Sequence, residues 1–190
     1  AFLANREGRR FVREDMGPSE LAALVLAQPG GVALEIFDRR IHGAAMRQGP
    51  YREAFEAGVV MVADDPASLA KAAGLPECFV ETFRTFSEYA RAKEDPLGRS
   101  RFGPPLEPPL YAAWVTGALA HTQGGLAVDS EARVLRRDGR AIQGLYAAGG
   151  AAAGLAGRGG EGYLPGNGLA QSFALGLIAG ERIASLRAGA

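Results

Sequence analysis

The sequence contains a single cysteine, Cys78, so an internal disulfide framework is excluded and a reducing, cytoplasmic location is expected. It has no excess of either charge: 21 Lys and Arg balance 21 Asp and Glu, which gives no indication of a nucleic-acid or anionic-membrane partner. Its longest apolar runs, near 110–120 and 169–180, are interrupted by glycine and polar residues, so no membrane span is expected. We also predict no metal site.

The amino terminus lacks a signal peptide and a Met, and it starts inside a strand-like run. We therefore expect the chain to be part of a longer polypeptide. Its 190 residues, 47% apolar and 22% charged, are typical of a globular protein with one medium domain or two small ones.

The first forty residues predict a hairpin, a helix and a strand. The hairpin has a turn at Glu7–Gly8 and a second strand that carries Phe11 and Val12. The helix follows in "GPSELAALVLAQPGG", with Ser19 as its N-cap, and "VALEIFD" alternates as a strand does. The next polar segment is interpreted as a connector in which His42 is exposed.

Residues 64–95 predict two consecutive helices. Asp65 caps the first with Pro66 at its first position, and Gly74 separates the two. Apolar residues recur at spacings of three and four on the second helix, which predicts a buried face: Leu75, Phe79, Phe83, Phe86 and Tyr89. The proline-rich stretch "FGPPLEPPLY" predicts an extended connector at a segment border.

Glycine-punctuated strands follow this connector and end in "LYAAGG", a short apolar run that predicts a buried strand opening onto a ligand-facing loop. The bare loop "RGGEGYLPGNG" then leads into a helix predicted over 169–187, which Asn167 can cap. Glycines let a ligand approach the backbone, and a helix N-terminus offers free N–H groups and a positive dipole end. The loop is no Walker A motif, because no Gly-Lys-Ser/Thr follows. The residues alone leave open a cofactor or anion site and a tight structural turn.

The ordered motifs "NREGRRFVRE", "IFD", "HTQGGLAVD", "GLYAAGG" and "LPGNGLAQSFALGLIAGERIA" resemble the fumarate reductase and succinate dehydrogenase flavoprotein superfamily, in its 3-ketosteroid dehydrogenase and tricarballylate dehydrogenase-like branch. The resemblance covers the C-terminal part of those proteins. It implies a mixed α+β and α/β fold: a capping, substrate-binding domain of helices and short strands over 1–121, incomplete at its N-terminus. The C-terminal strand–loop–helix segment of a Rossmann-like FAD-binding domain would follow over 122–190.

The resemblance also implies FAD as cofactor and assigns site residues. The start of the last helix would direct its N–H groups at the pyrimidine edge of the flavin, where negative charge collects when N5 accepts a hydride. The resemblance assigns catalytic roles to Tyr163, whose phenol would donate a hydrogen bond to a ketone oxygen, and to His121, which would lie beside the substrate. Thr122 and Arg158 would bind substrate. The cofactor-binding residues would be Gly149, Gly150, Gly166, Asn167, Gly168, Leu169 and Ala170.

Three family features are missing. The Gly-x-Gly-x-x-Gly fingerprint for the ADP part of FAD is absent, so an N-terminal half, in the same parent chain or in another chain, must supply that site. Gly150 stands where the family often has a flavin-binding Glu. Two arginines that hold fumarate are replaced, in a gapless count, by Pro18 and Tyr163.

The sequence therefore predicts part of an FAD-dependent oxidoreductase, not a fumarate reductase, that acts on a small-molecule substrate. It would transfer a hydride between flavin N5 and a carbon next to a carbonyl or carboxylate. The alternative is a non-catalytic fragment or subunit that binds substrate or a partner without an FAD site of its own. Arg10 and Glu14 keep the charges of the "RRFVRE" motif, and we expect them to pair structurally.

Overall fold

A computed structural model describes residues 1–119, 123–157, 159 and 162–188 of the chain. It divides into two compact units, Ala1–Ala118 and Leu119–Ala190, each of which is taken by itself below.

The first unit is built on a four-stranded antiparallel sheet in the order β1-β2-β4-β3. Its strands are β1 (Phe2–Ala4), β2 (Val32–Asp38), β3 (Met61–Ala63) and β4 (Leu110–Thr116). β2 pairs along its whole length with β4, from Val32 opposite Thr116 to Asp38 opposite Leu110. The strand predicted from "VALEIFD" is confirmed at the same residues, and it is central to the sheet.

Five helices surround this sheet: α1 (Pro18–Leu26), α2 (Arg39–Ala45), α3 (Gly49–Glu56), α4 (Pro66–Ala73) and α5 (Cys78–Ala92). The predicted pair α4 and α5 is confirmed with its caps. The Asp65 carboxylate accepts from the backbone N–H of Ser68 at 2.8 Å, and Gly74 ends α4 in the left-handed region at φ +66°.

The predicted apolar face of α5 forms the main core. Phe79, Phe83 and Phe86 are buried and surround Phe2 of β1, whose ring lies 4.5 Å from that of Phe86. Tyr89 is half-buried at the end of this face. Leu34 and Ile36 of β2 point to the same core, whereas Ala33 and Phe37 belong to two clusters on the opposite side of the sheet.

The predicted N-terminal hairpin is wrong in its second strand. The Asn5 side chain accepts from the backbone N–H groups of Glu7 and Arg9, which closes the turn locally, and β1 pairs with β2 instead. Val12 packs in a cluster with Leu3 without entering the sheet.

Two further local predictions are also corrected. Ser19 does not cap α1, because the helix already begins at Pro18 with Gly17 at the N-cap position. The proline-rich stretch ends in β4, a central strand of the first unit, so it is no border between units.

The second unit contains a hairpin of β5 (Arg133–Leu135) and β6 (Ala141–Tyr146), a 3₁₀ turn at Gly149–Ala151, and the long helix α6 (Asn167–Ala188). Among its described residues, Val134, Ala147 and Ala152 form one small buried cluster, and Ala132 is buried as well. The prediction that "LYAAGG" begins as a buried strand is wrong for Leu145, which is 43% exposed at the end of β6. No helix within the described residues is long and apolar enough to cross a membrane.

Candidate functional site

A cavity of about 460 Å³ in the second unit lies between the 3₁₀ turn after β6 and the first turn of α6. Its lining is made of Gln123, Gly149, Gly150, Ala152, Gly154, Tyr163, Gly166, Asn167, Gly168, Leu169, Gln171 and Ser172. None of these side chains carries a formal charge. The bare loop and helix start that the sequence predicts as a ligand site therefore do border one cavity.

Backbone pairing holds the floor of the cavity. Leu126 and Ala152 form a parallel bridge, in which Leu126 N–H donates to Ala151 O and Ala153 N–H donates to Leu126 O, each at 2.9 Å. Gly125 lies so close to this bridge that a Cβ there would collide with the backbone of Ala152. The position requires glycine for packing.

Gln171 joins α6 to this floor. Its side chain is buried, and its amide Nε2 donates to the carbonyl of Ala153 at 2.6 Å. The Asn167 amide lies one turn earlier and donates to the carbonyl of Leu164 at 2.6 Å. Asn167 is thus the first residue of α6, and its side-chain amide joins the bare loop to the helix by donating a hydrogen bond. The sequence instead predicts Asn167 as an N-cap, whose side chain would accept a hydrogen bond from the helix.

The start of α6 presents unpaired backbone donors to the cavity. The N–H groups of Asn167 and Ala170 donate to the carbonyls of Leu164 and Gly166, at 3.2 and 3.1 Å. Within the described part of the chain, the N–H groups of Gly168 and Leu169 have no acceptor. Because α6 is 22 residues long, its aligned peptide dipoles place partial positive charge at these two groups.

The glycines leave this surface bare. A Cβ added at Gly150, Gly166 or Gly168 would meet no atom within 4 Å, so these positions border open space. Gly166 also has φ +83°, a conformation that other residues rarely adopt. A flat ligand can approach the backbone here without meeting side chains, and the uncharged, dipole-lined wall suits a neutral or partly negative acceptor.

The structure brings most of the predicted residues together. Six of the seven predicted cofactor-binding residues line the cavity, and the seventh, Ala170, follows them immediately in α6. Tyr163 lines the same cavity and is half-buried. His121, Thr122 and Arg158 lie outside the described residues. No group of three potential metal ligands occurs among the residues that are described.

Sequence reasoning missed Gln171 and Ser172. The Ser172 hydroxyl donates to the carbonyl of Gly168 at 2.7 Å, and its oxygen would be 3.2 Å from a Cβ added at Gly149. The available signal was a polar pair inside the otherwise apolar "LAQSFALG", four and five residues after Asn167 and thus one helical turn along.

Comparisons with known proteins show which family the chain resembles. The model of the FAD binding domain family matches residues 1–169. The chain is 33% identical to an NADH:acrylate oxidoreductase of Vibrio harveyi, covering 97% of the chain and 18% of that protein. It is 30% identical to a 3-oxosteroid 1-dehydrogenase of Mycobacterium tuberculosis, with 97% and 38% covered.

The solved structure of the open conformation of a flavocytochrome c3 fumarate reductase superposes with a TM-score of 0.72 at 30% identity. The superposition covers 95% of this chain and 31% of that one. The chain therefore has the mixed helix and sheet fold of one part of these flavoproteins, and it spans well under half the length of each of them.

Proposed function

Because this chain belongs to the FAD binding domain family, with FAD as the cofactor that the family and the relatives indicate, we propose that it is part of an FAD-dependent oxidoreductase. FAD supplies, when bound, the hydride-exchanging centre at N5. The substrate carbon would lie next to a carbonyl or carboxylate. The observation that carries the proposal is the pair of unpaired N–H groups at Gly168 and Leu169, which face a bare cavity at the start of a long helix.

The residues that line the cavity offer the hydrogen-bond donors and the open backbone surface that a flavin ring needs. The two free N–H groups would donate to the pyrimidine-edge oxygen of the flavin, and the glycines at 149–150 and 166 would let a planar ring lie against the backbone. Gln171 would hold the helix start against the floor of the cavity, because its amide donates to the carbonyl of Ala153.

We propose catalytic and substrate-binding roles for the residues that the family resemblance assigns. The Tyr163 phenol would donate a hydrogen bond to a substrate carbonyl oxygen, which makes the neighbouring C–H more acidic. His121 would orient the same substrate, and Thr122 and Arg158 would bind it. In this proposal residues 1–121 form the capping domain, and residues 122–190 are the last segment of a Rossmann-like FAD-binding domain.

The substrate we propose carries at most one carboxylate. Pro18 and Tyr163 stand where two arginines would be needed to clamp a dicarboxylate, and neither can form a charged fork. The names of the relatives differ on this point: one is named for acrylate, which has a single carboxylate, and one for 3-oxosteroids, which have a ketone, whereas others are named as fumarate reductases.

We propose an N-terminal FAD-binding half as the partner of the second unit. The apolar residues Leu169, Phe173 and Leu177 recur every four positions along α6 and are 71%, 77% and 63% exposed. Such a stripe in a helix is normally covered. We propose that the half of the parent protein that binds the ADP part of FAD packs against this stripe.

The experiment compares two substitutions at one position in the parent protein. Gly168→Pro removes an N–H group at a position in the first helical turn that tolerates proline, whereas Gly168→Ala keeps the N–H and adds a Cβ in open space. We expect Gly168→Pro to weaken FAD binding roughly tenfold more than Gly168→Ala does, the effect of one lost hydrogen bond, because both variants add carbon atoms to the cavity and only the proline removes the N–H. Titration of the apoprotein with FAD, followed by flavin absorbance, measures both.

A colourless parent protein that ignores FAD would overturn the oxidoreductase proposal. The second candidate function, a non-catalytic fragment or subunit that binds substrate or a partner, would then take its place. The absent Gly-x-Gly-x-x-Gly fingerprint and Gly150 favour that candidate.

A further inference from the structure

The first unit contains a cavity of about 350 Å³ with an acidic side chain at an unusual place, Glu35. Glu35 lies in the middle of β2, between its register partners Leu3 of β1 and Ala113 of β4. Its neighbours on the same face of the strand, Ala33 and Phe37, are buried. The strand pattern thus places a carboxylate where an apolar residue would pack.

Glu35 separates two apolar clusters on this face of the sheet. Ala33 packs below α1 with Leu3 and Val25, whereas Phe37 packs with Tyr111 beneath α2 and α3. The cavity opens beside the first of these clusters, and its apolar wall includes Leu3, Pro18, Leu21, Ala22, Val25 and Val115. Its size lies at the lower end of the range of small-molecule sites.

No residue in the described part of the chain donates a hydrogen bond to Glu35 or forms an ion pair with it. Burial raises the pKa of this carboxyl, and the positive α-amino group of Ala1, which lines the same cavity, opposes the rise only partly. A half-buried carboxylate without a donor costs stability. An apolar side chain here would join the two clusters, so packing gives no reason for the carboxylate.

The other charged side chains that line the cavity, Glu14 and Arg99, already have partners. The Glu14 carboxylate accepts from Leu3 N–H and Arg10 Nε through one oxygen, and from Arg10 and Arg99 through the other. Arg10 also pairs with Asp95 at 2.8 Å. These two arginines and two carboxylates balance each other, which leaves Glu35 as the one charged side chain of the cavity without a hydrogen-bonded partner; the α-amino group of Ala1 lines the same cavity and attracts it electrostatically.

We propose that this cavity is a binding site for a small organic cation, a protonated amine on an apolar body, with Glu35 as its charge partner. The ammonium group would supply the donors that Glu35 lacks, and the apolar body would fill the space below α1. The site lies wholly within the first unit and does not rest on the proposed function of the second.

The test titrates the full chain, with its α-amino group acetylated so that it cannot compete, against cyclohexylammonium. Cyclohexanol serves as the uncharged ligand of similar shape. We expect saturable binding of cyclohexylammonium in the millimolar range or tighter, at least tenfold stronger than that of cyclohexanol. Equal binding of the two probes, or no saturable binding of cyclohexylammonium, would overturn the proposal.

Three variants complete the test. Glu35→Gln should weaken cyclohexylammonium binding at least tenfold, whereas Glu53→Gln, at an exposed position of α3, should not change it. Ala22→Phe keeps the carboxylate but fills the cavity from α1, and it should also abolish binding. If Glu35→Gln fails to fold, the result for Ala22→Phe tests the proposal alone. An unchanged affinity of Ala22→Phe for cyclohexylammonium would contradict the proposed site.

Discussion

At the scale of single residues, Tyr163 is the side chain with the clearest expected chemical effect. If its phenol polarises a carbonyl in the transition state, Tyr163→Phe should slow flavin reduction in the parent enzyme by roughly 10² to 10⁴-fold. Substrate affinity and flavin content should change little, because the ring still fills its place in the cavity wall. His121→Ala should weaken substrate binding as well as rate. Rapid mixing under anaerobic conditions measures these effects, and a wild-type rate in Tyr163→Phe would leave the phenol a packing role only.

The replacement of two arginines by Pro18 and Tyr163 leads to a second expectation for the parent enzyme. Fumarate and succinate should be poor substrates. Their turnover should be on the order of 10³-fold slower than that of a compound with one carboxylate or a ketone, because two charge-assisted clamps are missing. Steady-state kinetics with such compounds side by side provide the measurement. Efficient fumarate reduction would show that other residues supply the clamp.

Glu35 should make the stability of the chain depend on pH. Burial raises its pKa above the ordinary value of 4.5, so the folded state favours the protonated form. Stability contributed by this group is therefore complete below pH 4.5 and decreases as the pH rises toward the folded-state pKa. Urea unfolding of Glu35→Gln should lack this decrease relative to wild type, whereas Glu53→Gln should retain it. If the unfolding free energies of wild type and Glu35→Gln changed in parallel with pH, the conclusion that the Glu35 carboxylate is unpaired would be contradicted.

The sequence predicts residues whose role is local better than residues whose partners are distant. Arg10 and Glu14, four positions apart, pair at 2.8 Å as expected. His42 is predicted to be exposed in a connector, yet its ring lies on α2, stacks on Tyr111 at 4.1 Å and hydrogen-bonds the Tyr51 hydroxyl at 2.8 Å. Tyr111 is distant in the chain, and only the formed sheet brings it under α2. No local pattern carries that information.

At the scale of elements, two exposed glycines, one inside a helix and one at a helix end, form a matched pair. Gly74 ends α4 at φ +66°, whereas Gly43 lies inside α2 with ordinary helical geometry, and a Cβ at either position would meet no atom within 4 Å. Gly74→Ala should cost about 1 kcal/mol of unfolding free energy through backbone strain, and Gly43→Ala should add about 0.5 to 1 kcal/mol. Chemical denaturation measures both. If both substitutions changed the unfolding free energy in the same direction, backbone conformation would not be the cause of these changes.

Elements with strong end signals are predicted almost to the residue, and those without are not. The proline after Asp65 and the glycine at position 74 fix both ends of α4, and the aromatic spacing identifies α5. The short helices α2 and α3 lack such a pattern, and α2 begins only because the Asp38 carboxylate at the end of β2 accepts from the N–H groups of Arg40 and Ile41. In the candidate site the loop and helix start were predictable, whereas Gln171 acts through a contact to Ala153 that only folding creates.

At the scale of the whole molecule, the two units differ in how well they bury apolar surface. The first has a four-stranded sheet with apolar clusters on both faces, including an aromatic core around Phe2. Among its described residues the second has only four buried apolar side chains, three of them alanines, and a helix whose Leu169, Phe173 and Leu177 face solvent. Because burial of apolar surface is the main source of stability, the second unit on its own should be marginal.

This difference predicts where the isolated chain opens. Amide hydrogen exchange should be slowest in β2 and β4, whose full-length pairing occupies the centre of the first sheet, and at least tenfold faster in β6 and α6. In the parent protein, where we propose that a further half covers the stripe on α6, exchange in α6 should slow to a rate near that of the first unit. Phe173→Asp should reverse that slowing in the parent while leaving β2 unaffected. Equal protection of α6 and β2 in the isolated chain would show that the second unit is stable without a partner, and the proposed covering half would then lose its physical basis.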